Sequence, residues 1–251
     1  VKEDGAWQPA EWIFADGFIP WRTRIVRDRA TMIGYTGGDE IYDQGGTELP
    51  ALEVRWLEST DGLDWAGETV WVGGASETDF AYTSSGLIAV MRNEAGDTDG
   101  FGSKICRAEL DEPKDWTCVH DCRKFDSPLM FTHDDEAWLI GRRNLTEDGC
   151  FDLGLDPDEF SHAERFTRYS ADYWTHAKRC TIWHIDGDAL TATAVVDLPS
   201  SGGTCFPSIR TVDGEYEVWN YTSDPNQPDT PWLEGQQGPT TITRQRFRFS
   251  P

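Results

Sequence analysis

Residues 125–143 read FDSPLMFTHDDEAWLIGRR: an apolar strand that begins at a proline, a polar turn, and a second apolar strand that ends in arginine. Short apolar runs bounded by Asp, Ser and Gly predict antiparallel β-strands joined by turns. The same layout returns in residues 18–35, 77–94 and 204–221. The chain therefore contains four copies of one strand–turn–strand unit.

The spacing of these units indicates a repeat architecture. The aligned positions Pro20, Phe80, Pro128 and Pro207 are 60, 48 and 79 residues apart. The last interval contains a polar insertion of about 30 residues, and without it the interval resembles the second one. Repeats of roughly 40–50 residues with several strands each are typical of propeller blades.

Each unit continues into a third strand. The third strands are predicted at residues 52–57, 104–108, 180–185 and 240–247. No strand follows the last of them, so residues 11–14 are expected to supply the missing outer strand and close the ring. We predict an all-β propeller of four-stranded antiparallel blades that forms a single domain over residues 1–251. Five blades, or part of a six-bladed ring, also fit the four visible units.

The acidic surplus excludes several kinds of partner. The chain has 22 Lys plus Arg against 45 Asp plus Glu, which gives a formal net charge of −23. Nucleic acids and anionic membrane surfaces bind basic faces, so neither is expected as a partner. No apolar run approaches the roughly 20 residues needed to span a bilayer.

Six cysteines predict a disulfide-bonded protein. Two of them flank a hairpin turn, and two flank the insertion at about residues 147–179. The remaining two can then pair with each other. The expected pairs are Cys106 with Cys118, Cys150 with Cys180, and Cys122 with Cys205. Disulfides form in oxidising compartments, so we expect an extracellular or periplasmic location. The cysteines and histidines show no metal-ligand spacing, so no metal or other cofactor is expected, although a structural Ca²⁺ ion stays open without a motif.

The turn after one third strand carries a more specific pattern. Residues 59–65 read STDGLDW, with Ser59, Asp61, Gly62 and Trp65 at the marked positions. This turn resembles the aspartate box of sialidase-like β-propellers. Such a box has a structural role, in which the Asp binds turn amides, the Gly adopts a strained conformation and the Trp packs between blades.

Together with the repeated units, this turn makes residues 5–221 look like the sialidase superfamily. The resemblance implies an arginine triad that clamps a substrate carboxylate, a Tyr–Glu nucleophile pair and an Asp acid/base. On this chain it places catalytic roles at Glu77, Asp79, Glu94, Asp126 and Tyr221, and substrate binding at Arg22, Arg92, Arg142 and Arg143. No R-I-P motif is present, so Arg22 is a loose stand-in for the first arginine.

Strand geometry supports part of this assignment independently of the resemblance. Side chains at the starts of inner strands and at the ends of second strands face the channel where the blades converge. Glu77 and Asp79 share one face of a strand, whereas Arg143 must point away from the face that Arg142 uses. Arginine binds carboxylates in a bidentate manner, and a Tyr paired with a carboxylate is a competent nucleophile.

These observations predict a secreted sialidase-like glycoside hydrolase that acts on an acidic sugar in a pocket at the propeller axis. We expect a carbohydrate partner and a monomer. An arabinanase- or fructosidase-like glycosidase would instead use three carboxylates, Asp79, Asp126 and either Glu77 or Glu94. A non-catalytic carbohydrate-binding propeller and a protein-interaction propeller are the remaining alternatives.

Overall fold

Four antiparallel sheets follow one another along the chain and form the blades of a four-bladed β-propeller. The computed structural model describes residues 2–9, 12–38, 41, 51–227 and 229–249. Within these residues, three blades have four strands and the last has three. The predicted all-β propeller is therefore confirmed, and the four strand–turn–strand units are the first two strands of the four blades.

The strands of each blade pair in sequence order. Blade 1 contains β3 (Ile19–Val26), β4 (Arg29–Thr36), β5 (Leu52–Ser59) and β6 (Ala66–Gly73). Blade 2 contains β7 (Thr78–Thr83), β8 (Gly86–Asp97), β9 (Gly100–Ala108) and β10 (Thr117–Asp121). Blade 3 contains β11 (Leu129–His133), β12 (Glu136–Asn144), β13 (Lys178–Asp186) and β14 (Thr191–Leu198). Blade 4 contains β15 (Ser208–Val212), β16 (Glu215–Thr222) and β17 (Thr241–Phe247).

The apolar core lies between neighbouring blades. The first strand of blade 2, β7, contacts the first strands of blades 1 and 3, which places these strands at the axis. Clusters of buried apolar side chains fill the junctions between blades 1 and 2, 2 and 3, and 3 and 4. Each junction contains an aromatic pair, namely Trp56–Phe80, Phe125–Trp183 and Phe131–Phe247. Such pairs add a directional contact to the area that is buried, which fixes the angle between sheets.

The junction between blades 4 and 1 is built differently. Trp21 packs edge-on against Phe206 with ring centroids 5.2 Å apart, and Arg22 Nη1 donates to the Pro207 carbonyl at 3.3 Å. The predicted fourth strand of blade 4 is not formed by the described part of residues 11–14, since residues 12–14 lie outside the strands and Glu11 is outside the described residues.

The two N-terminal strands form a separate hairpin. β1 (Lys2–Glu3) and β2 (Ala6–Trp7) pair with each other. The turn between them has positive φ at Asp4 (48°) and Gly5 (83°), which are the residue types that tolerate this conformation. Residues 2–7 therefore satisfy one another locally instead of extending the distant sheet.

The turn between β5 and β6 has the hydrogen bonding expected of the aspartate-box pattern. Asp61 Oδ1 accepts from the amides of Leu63 and Asp64 at 2.8 and 3.0 Å, and Gly62 has a φ of 77°. The indole of Trp65 donates to the Gly62 carbonyl at 3.1 Å, so its polar atom is used inside the turn. The residues act structurally, and membership of the sialidase superfamily does not follow from this turn.

Two of the disulfides involve blade 2. One of them was predicted, and the other differs from the predicted pairing. Cys106 and Cys118 lie directly opposite each other on β9 and β10 and are bonded, as the hairpin spacing predicts. Cys122 bonds to Cys150, with Cα atoms 4.9 Å apart, so its predicted pairing with Cys205 is wrong. The Phe151 amide donates to the Cys122 carbonyl at 2.7 Å, and this backbone contact brings the start of the insertion against the end of β10.

The third disulfide joins blades 3 and 4. Cys180 on β13 bonds to Cys205, which precedes β15, so the predicted bridge between Cys150 and Cys180 across the insertion is also wrong. Both Cys180 and Cys205 belong to the buried cluster at this junction. The insertion is therefore fastened to blade 2 at its start, while its end leads into a strand that is fastened to blade 4.

The insertion contains helix α1 (His162–Thr175). Ser161 caps its start through a reciprocal capping box with Glu164, which satisfies two amides that a helix start leaves free. Its buried face presents Phe166, Tyr169 and Tyr173 to the rest of the chain.

A second, short helix lies beside α1. Helix α2 (Trp232–Gln237) belongs to the connection between β16 and β17 and contacts α1. Its first amide, at Trp232, donates to the His176 carbonyl at 3.0 Å, and Ala177 forms a β-bridge with Pro231. The two helices contact each other, and α1 lies against blade 2, where it contacts β8 and where its Phe166, Tyr169 and Tyr173 share a buried cluster with Phe101 of β9. Neither helix combines the length and apolar content that crossing a bilayer requires.

Candidate active site

One arginine nitrogen collects three carboxylates where the first strands of blades 2 and 3 begin. Arg92 Nη1 lies 2.9 Å from Glu77 Oε1, 3.5 Å from Glu94 Oε2 and 3.5 Å from Asp126 Oδ1. Glu77 immediately precedes β7, and Asp126 lies three residues before β11. The start of each inner strand therefore places one carboxylate at the cluster. Arg92 and Glu94 lie two residues apart on β8 and therefore project from the same face.

Two further cations complete the cluster. Lys124 Nζ donates to Glu94 Oε1 at 2.7 Å and lies 3.7 Å from Asp126 Oδ1. Arg142 Nη1 donates to Asp126 Oδ2 at 2.7 Å. The three carboxylates are thus matched by three cations, and the formal charges of the cluster cancel. Buried charges are tolerated only when they are paired in this way.

Two tyrosines lie next to these charges. The Tyr173 hydroxyl donates to Asp126 Oδ2 at 2.7 Å, and the ring of Tyr173 lies between two ammonium groups, with Lys124 Nζ at 4.1 Å and Lys178 Nζ at 3.8 Å from its centroid. The Tyr221 hydroxyl instead accepts from Arg142 Nη2 at 3.4 Å. Tyr173, and not Tyr221, is therefore the tyrosine in contact with a carboxylate of this cluster.

The environment moves the pKa values of these carboxylates in opposite directions. Burial raises the pKa of Glu77 above its usual range, and the nearby Arg92 offsets only part of this rise. Burial alone would also raise the pKa of Asp126, but Lys124 and then Arg142 outweigh it and hold that pKa well below its usual range. Two carboxyl groups that share one arginine nitrogen are therefore biased toward different protonation states.

Glu94 resembles Asp126 in this respect. Burial raises the pKa of Glu94, but the positive charges of Lys124 and Arg92 together lower it by more than burial raises it. The pKa of Glu94 therefore lies below its usual range. Lys178 is a cation, so burial acts on it in the other direction and lowers its pKa to about 7. Its ammonium donates to the Asn144 side chain at 2.8 Å and to the His176 carbonyl at 3.0 Å, so it ties the end of α1 to blade 3.

A cavity of about 450 Å³ opens on this cluster, and we call it the axial cavity. It is lined by Arg92, Glu94, Lys124, Asp126, Arg142, Tyr173, Trp174 and Trp232. The rings of Trp174 and Trp232 are stacked with an interplanar angle of 24° and centroids 6.4 Å apart. The axial cavity thus combines an aromatic surface with convergent charged groups, which is the usual composition of a small-molecule site.

Arg22 closes the propeller axis beside this cluster. Its guanidinium donates to the Pro128 carbonyl at 3.0 and 3.1 Å, to the Ser127 carbonyl at 3.4 Å and to the Pro207 carbonyl at 3.3 Å. Further along the axis, Asp79 has no exposed side-chain surface and accepts from the guanidinium of Arg24 and from the Met130 amide. Arg22 and Asp79 therefore hold blades 1 to 4 together.

The structure brings together most of the predicted site residues. Those that meet at the cluster are Glu77, Glu94, Asp126, Arg92, Arg142 and Tyr221. Arg22 and Asp79 lie at the axis instead. Arg143 points to the other side of β12, as strand alternation predicts, and forms an ion pair with Asp197 at the surface.

Sequence reasoning missed Lys124, Tyr173, Trp174 and Trp232. Lys124 could have been found, because it lies two residues before Asp126 and is one of only five lysines in the chain. Trp174 and Trp232 are 58 positions apart, in segments whose packing no local pattern specifies. They meet only because α1 and α2 pack against each other.

A larger cavity of about 840 Å³ lies elsewhere, beside the turn between β8 and β9. Its acidic groups are largely neutralised, since Lys104 Nζ lies 2.9 Å from Asp97 and 2.7 Å from Asp99. The residues that line it include no tryptophan, tyrosine or phenylalanine, so we place the candidate site at the smaller axial cavity, where aromatic rings lie beside the charged groups. Over the described stretches of the chain, no set of three or more His, Cys, Asp and Glu side chains is arranged to hold a metal ion.

Comparison with known proteins gives similarity at the level of the fold. No protein-family model matches the chain, and no curated protein matches its sequence. Among solved structures, the Bombyx mori GH32 β-fructofuranosidase BmSUC1 aligns over 93% of this chain and 49% of its own, with a TM-score of 0.53 and 10% identity. A mutant of the same enzyme in complex with sucrose gives a TM-score of 0.52, again with 10% identity, 93% of this chain and 49% of the other.

A third structure, a BT0996 RGII complex, aligns with a TM-score of 0.51 and 12% identity over 92% of this chain and 70% of its own. At such low identities these similarities establish the β-propeller fold. The chain spans about half the length of the fructofuranosidase that it matches.

Proposed function

We propose that this chain is a glycoside hydrolase that uses the carboxylates around Arg92, of which Glu94 and Asp126 line the axial cavity and Glu77 lies next to it in contact with Arg92. The observation that supports the proposal is the grouping of Glu77, Glu94 and Asp126 within 3.5 Å of Arg92 Nη1. Carboxyl groups whose pKa values are pushed apart are the arrangement by which hydrolases separate a general acid from an ionised partner. Because Glu77 and Asp126 share one nitrogen, their nearest oxygens lie no more than about 6.4 Å apart, which is below the roughly 6.5–9.5 Å of an inverting carboxylate pair and allows the roughly 5–5.5 Å of a retaining pair.

In the proposed reaction, Glu77 is the general acid. Its raised pKa keeps a proton available, and 12% of its side chain is exposed. This proton passes to the glycosidic oxygen as the bond from that oxygen to the anomeric carbon breaks. Asp126, held ionised, bonds to the anomeric carbon as the leaving oxygen departs, and Glu77, now a carboxylate, then takes a proton from the water whose oxygen displaces Asp126 from that carbon. The products are two sugars with free hydroxyl groups.

The carboxylate route is favoured over sialidase-like chemistry by the surroundings of Tyr221. A sialidase-like nucleophile would need its tyrosine next to a carboxylate, whereas the hydroxyl of Tyr221 contacts Arg142. Tyr173 does contact Asp126, but burial raises the pKa of Tyr173 well above its usual range, which makes its hydroxyl a poor nucleophile. We therefore propose the three-carboxylate chemistry of fructosidases and arabinanases, in line with the fold shared with the Bombyx mori β-fructofuranosidase.

A non-catalytic carbohydrate-binding role is the second candidate, and the ion pairs favour it. Each carboxylate has a cation within 2.9 Å: Glu77 has Arg92, Glu94 has Lys124 and Asp126 has Arg142. A closed network of this kind holds a binding pocket rigid without any chemical step. For either function, the three disulfides support a proposed location in an oxidising compartment outside the cytoplasm.

Hydrolysis assays distinguish these functions. Sucrose and the nitrophenyl glycosides of arabinofuranose, xylose, galactose and sialic acid are incubated with the wild type and with Glu77→Gln and Asp126→Asn. We expect turnover of at least one neutral glycoside, and a decrease in kcat of about 10²–10⁴-fold in both variants. Asp197→Asn is the matched control, since this carboxylate pairs with Arg143 away from the cavity.

Two results would overturn the enzymatic proposal. Unchanged turnover in both variants would separate the activity from the cluster. Failure to hydrolyse any of the glycosides, combined with sugar binding that Arg142→Ala abolishes, would establish the binding role instead. Preferential turnover of the sialoside would favour sialidase-like chemistry.

A further inference from the structure

The outer edge of blade 4 is open. Its last strand, β17, pairs with β16 over seven residues without a shift in register, and no described strand pairs with its other side. In the other blades the edge is interrupted or short, since β6 and β14 each pair with a shift in register and β10 has only five residues. Interrupted and short edges resist the addition of a strand, whereas a regular edge is a template for one. Blade 4 therefore presents the backbone groups to which a fourth strand would bind.

A cavity of about 530 Å³ lies between β17 and the outer strand of blade 3, and we call it the rim groove. Val195 and Val196 of β14 line it and remain 54% and 51% exposed, and Phe247 lines it from β17. Phe247 packs on Phe131 of blade 3, with ring centroids 6.4 Å apart, so this face of β17 points toward blade 3. Alternate side chains of a strand added to β17 would project from the same face into the rim groove and cover the two valines.

The opposite face of β17 is basic. Arg244 and Arg246 alternate with the residues that face blade 3, so they project away from it. Arg246 pairs with Glu217 at 2.7 Å, whereas Arg244 is exposed and forms no ion pair with any described residue. Residues 238–251 contain three arginines and no Asp or Glu, although the chain has a formal net charge of −23. The edge strand is therefore positively charged on a protein that is acidic as a whole.

The charge of β17 decides which kind of strand this edge accepts. Opposite charges on neighbouring strands stabilise the pair, and like charges destabilise it. An antiparallel β17 from a second copy, paired over its full length, would place Arg244 opposite Arg244, so the edge disfavours pairing with itself. Carboxylates on an incoming strand would instead form ion pairs with the two arginines. The edge therefore selects an acidic segment.

We propose that blade 4 is completed by an extended segment of a partner protein, in which carboxylates facing Arg244 and Arg246 alternate with apolar side chains that fill the rim groove. In strand addition of this kind, main-chain hydrogen bonds supply affinity and the alternating side chains supply specificity. None of the residues of β17 lines the axial cavity, so this binding surface is independent of the proposed hydrolytic function.

Two synthetic peptides as long as β17 test this proposal. One alternates valine with glutamate and the other alternates valine with lysine, and both have blocked termini and a fluorescent label. Fluorescence anisotropy with the full chain measures the two Kd values. We expect the glutamate peptide to bind about tenfold more tightly, because its attraction to Arg244 and Arg246 becomes repulsion when lysine replaces glutamate. Equal affinity for the two peptides, or no binding of the glutamate peptide, would overturn the proposal.

Arg244→Glu reverses the charge of the edge without breaking an ion pair among the described residues. We expect it to weaken binding of the glutamate peptide about tenfold and to strengthen binding of the lysine peptide. Arg107→Glu is the matched control, since Arg107 is exposed on β9 of blade 2, also forms no ion pair with a described residue, and changes the net charge equally. An unchanged Kd in Arg244→Glu, or equal changes in both variants, would contradict the assignment of the site to β17.

The rim groove is tested by Val195→Glu, which puts a carboxylate where apolar side chains of the peptide would pack. We expect the Kd of both peptides to rise several-fold. Val72→Glu is the control, because Val72 is 61% exposed on the outer strand of blade 1. Equal effects of the two variants would show that the groove takes no part in binding.

Sedimentation equilibrium distinguishes a partner segment from a second copy. We expect the wild type to remain monomeric. A wild-type dimer that Arg244→Glu dissociates would assign the edge of β17 to a second copy of the chain and overturn its assignment to a partner segment.

Discussion

At the residue scale, the site depends on Arg92. Its Nη1 atom touches Glu77, Glu94 and Asp126, and these three carboxyl groups would repel one another without a shared cation. Lys124 and Arg142 then bias the cluster, since both act on Asp126 and neither forms an ion pair with Glu77 within 4.0 Å in the described structure. The asymmetry of these contacts biases Glu77 toward the protonated form and Asp126 toward the ionised form.

This asymmetry predicts a pH dependence of kcat/KM. Activity needs Glu77 protonated, so it falls as pH rises through the raised pKa of Glu77, and it needs Asp126 ionised, so it falls at acidic pH only below the lowered pKa of Asp126. Arg92 lowers the pKa of Glu77, and we expect Arg92→Met to move the alkaline limb of the profile to higher pH. The measurement is the pH profile of kcat/KM for the glycoside that the wild type hydrolyses.

The matched control for that profile is Arg143→Met, which removes an arginine that pairs with a carboxylate at the surface. Its alkaline limb should coincide with that of the wild type. An alkaline limb that stays in place in Arg92→Met would contradict the assignment of this limb to Glu77.

At the scale of elements, the cavity is made by an insertion that the disulfides hold in place. Cys122–Cys150 fixes the start of the insertion to blade 2, and Cys180–Cys205 links the strand after it to blade 4. Tyr173 and Trp174 lie between these attachments, near the end of α1. The positions of both side chains therefore depend on covalent links that lie outside the cavity.

Removing one of these links should loosen the site. We expect the double variant Cys122→Ser with Cys150→Ser to lose about 3 kcal/mol of unfolding free energy, as loops of this size do, and to bind carbohydrate more weakly. The comparison is Cys106→Ser with Cys118→Ser, whose link stays inside the hairpin of β9 and β10. Denaturation and sugar titration measure the two effects.

For the hairpin variant, we expect a loss of stability with carbohydrate affinity preserved. Equal carbohydrate affinity in both double variants would show that the insertion does not need the link to Cys122 to position Tyr173 and Trp174.

The elements also show how far sequence reasoning reaches. The strand pairs at residues 77–94 and 125–143 were predictable because their apolar runs and turn residues are local signals, and β-strand alternation separates Arg142 from Arg143. The partners of Cys150 and Cys205 were not predictable, because they depend on which blades become neighbours and six cysteines allow about 15 connectivities. The N-terminal hairpin was missed for a related reason, since a short local turn competed with a distant sheet.

At the scale of the whole molecule, the charge of the chain and the charge of its site differ. The chain carries a formal net charge of −23, whereas the cluster of Glu77, Glu94 and Asp126 is matched by three cations. The acidic surplus therefore lies outside the site.

The site lies at the repeated position where the inner strands begin. Glu77 and Asp126 occupy the starts of successive inner strands, so the repeat itself brings them together at the axis. The helices that complete the cavity belong to two connections that interrupt the repeat. The propeller thus supplies the carboxylates, and the interruptions supply the tryptophans.

A crystal structure of Glu77→Gln soaked with sucrose, arabinotriose, xylotriose and galactotriose in turn tests the central claim most directly. We expect one soak to show a sugar ring against Trp174 and Trp232, with its glycosidic oxygen within hydrogen-bond distance of residue 77. Sugar bound only in the larger cavity beside Asp97 and Asp99, or no sugar in any of the four soaks, would contradict the claim that the axial cavity is a glycosidase site.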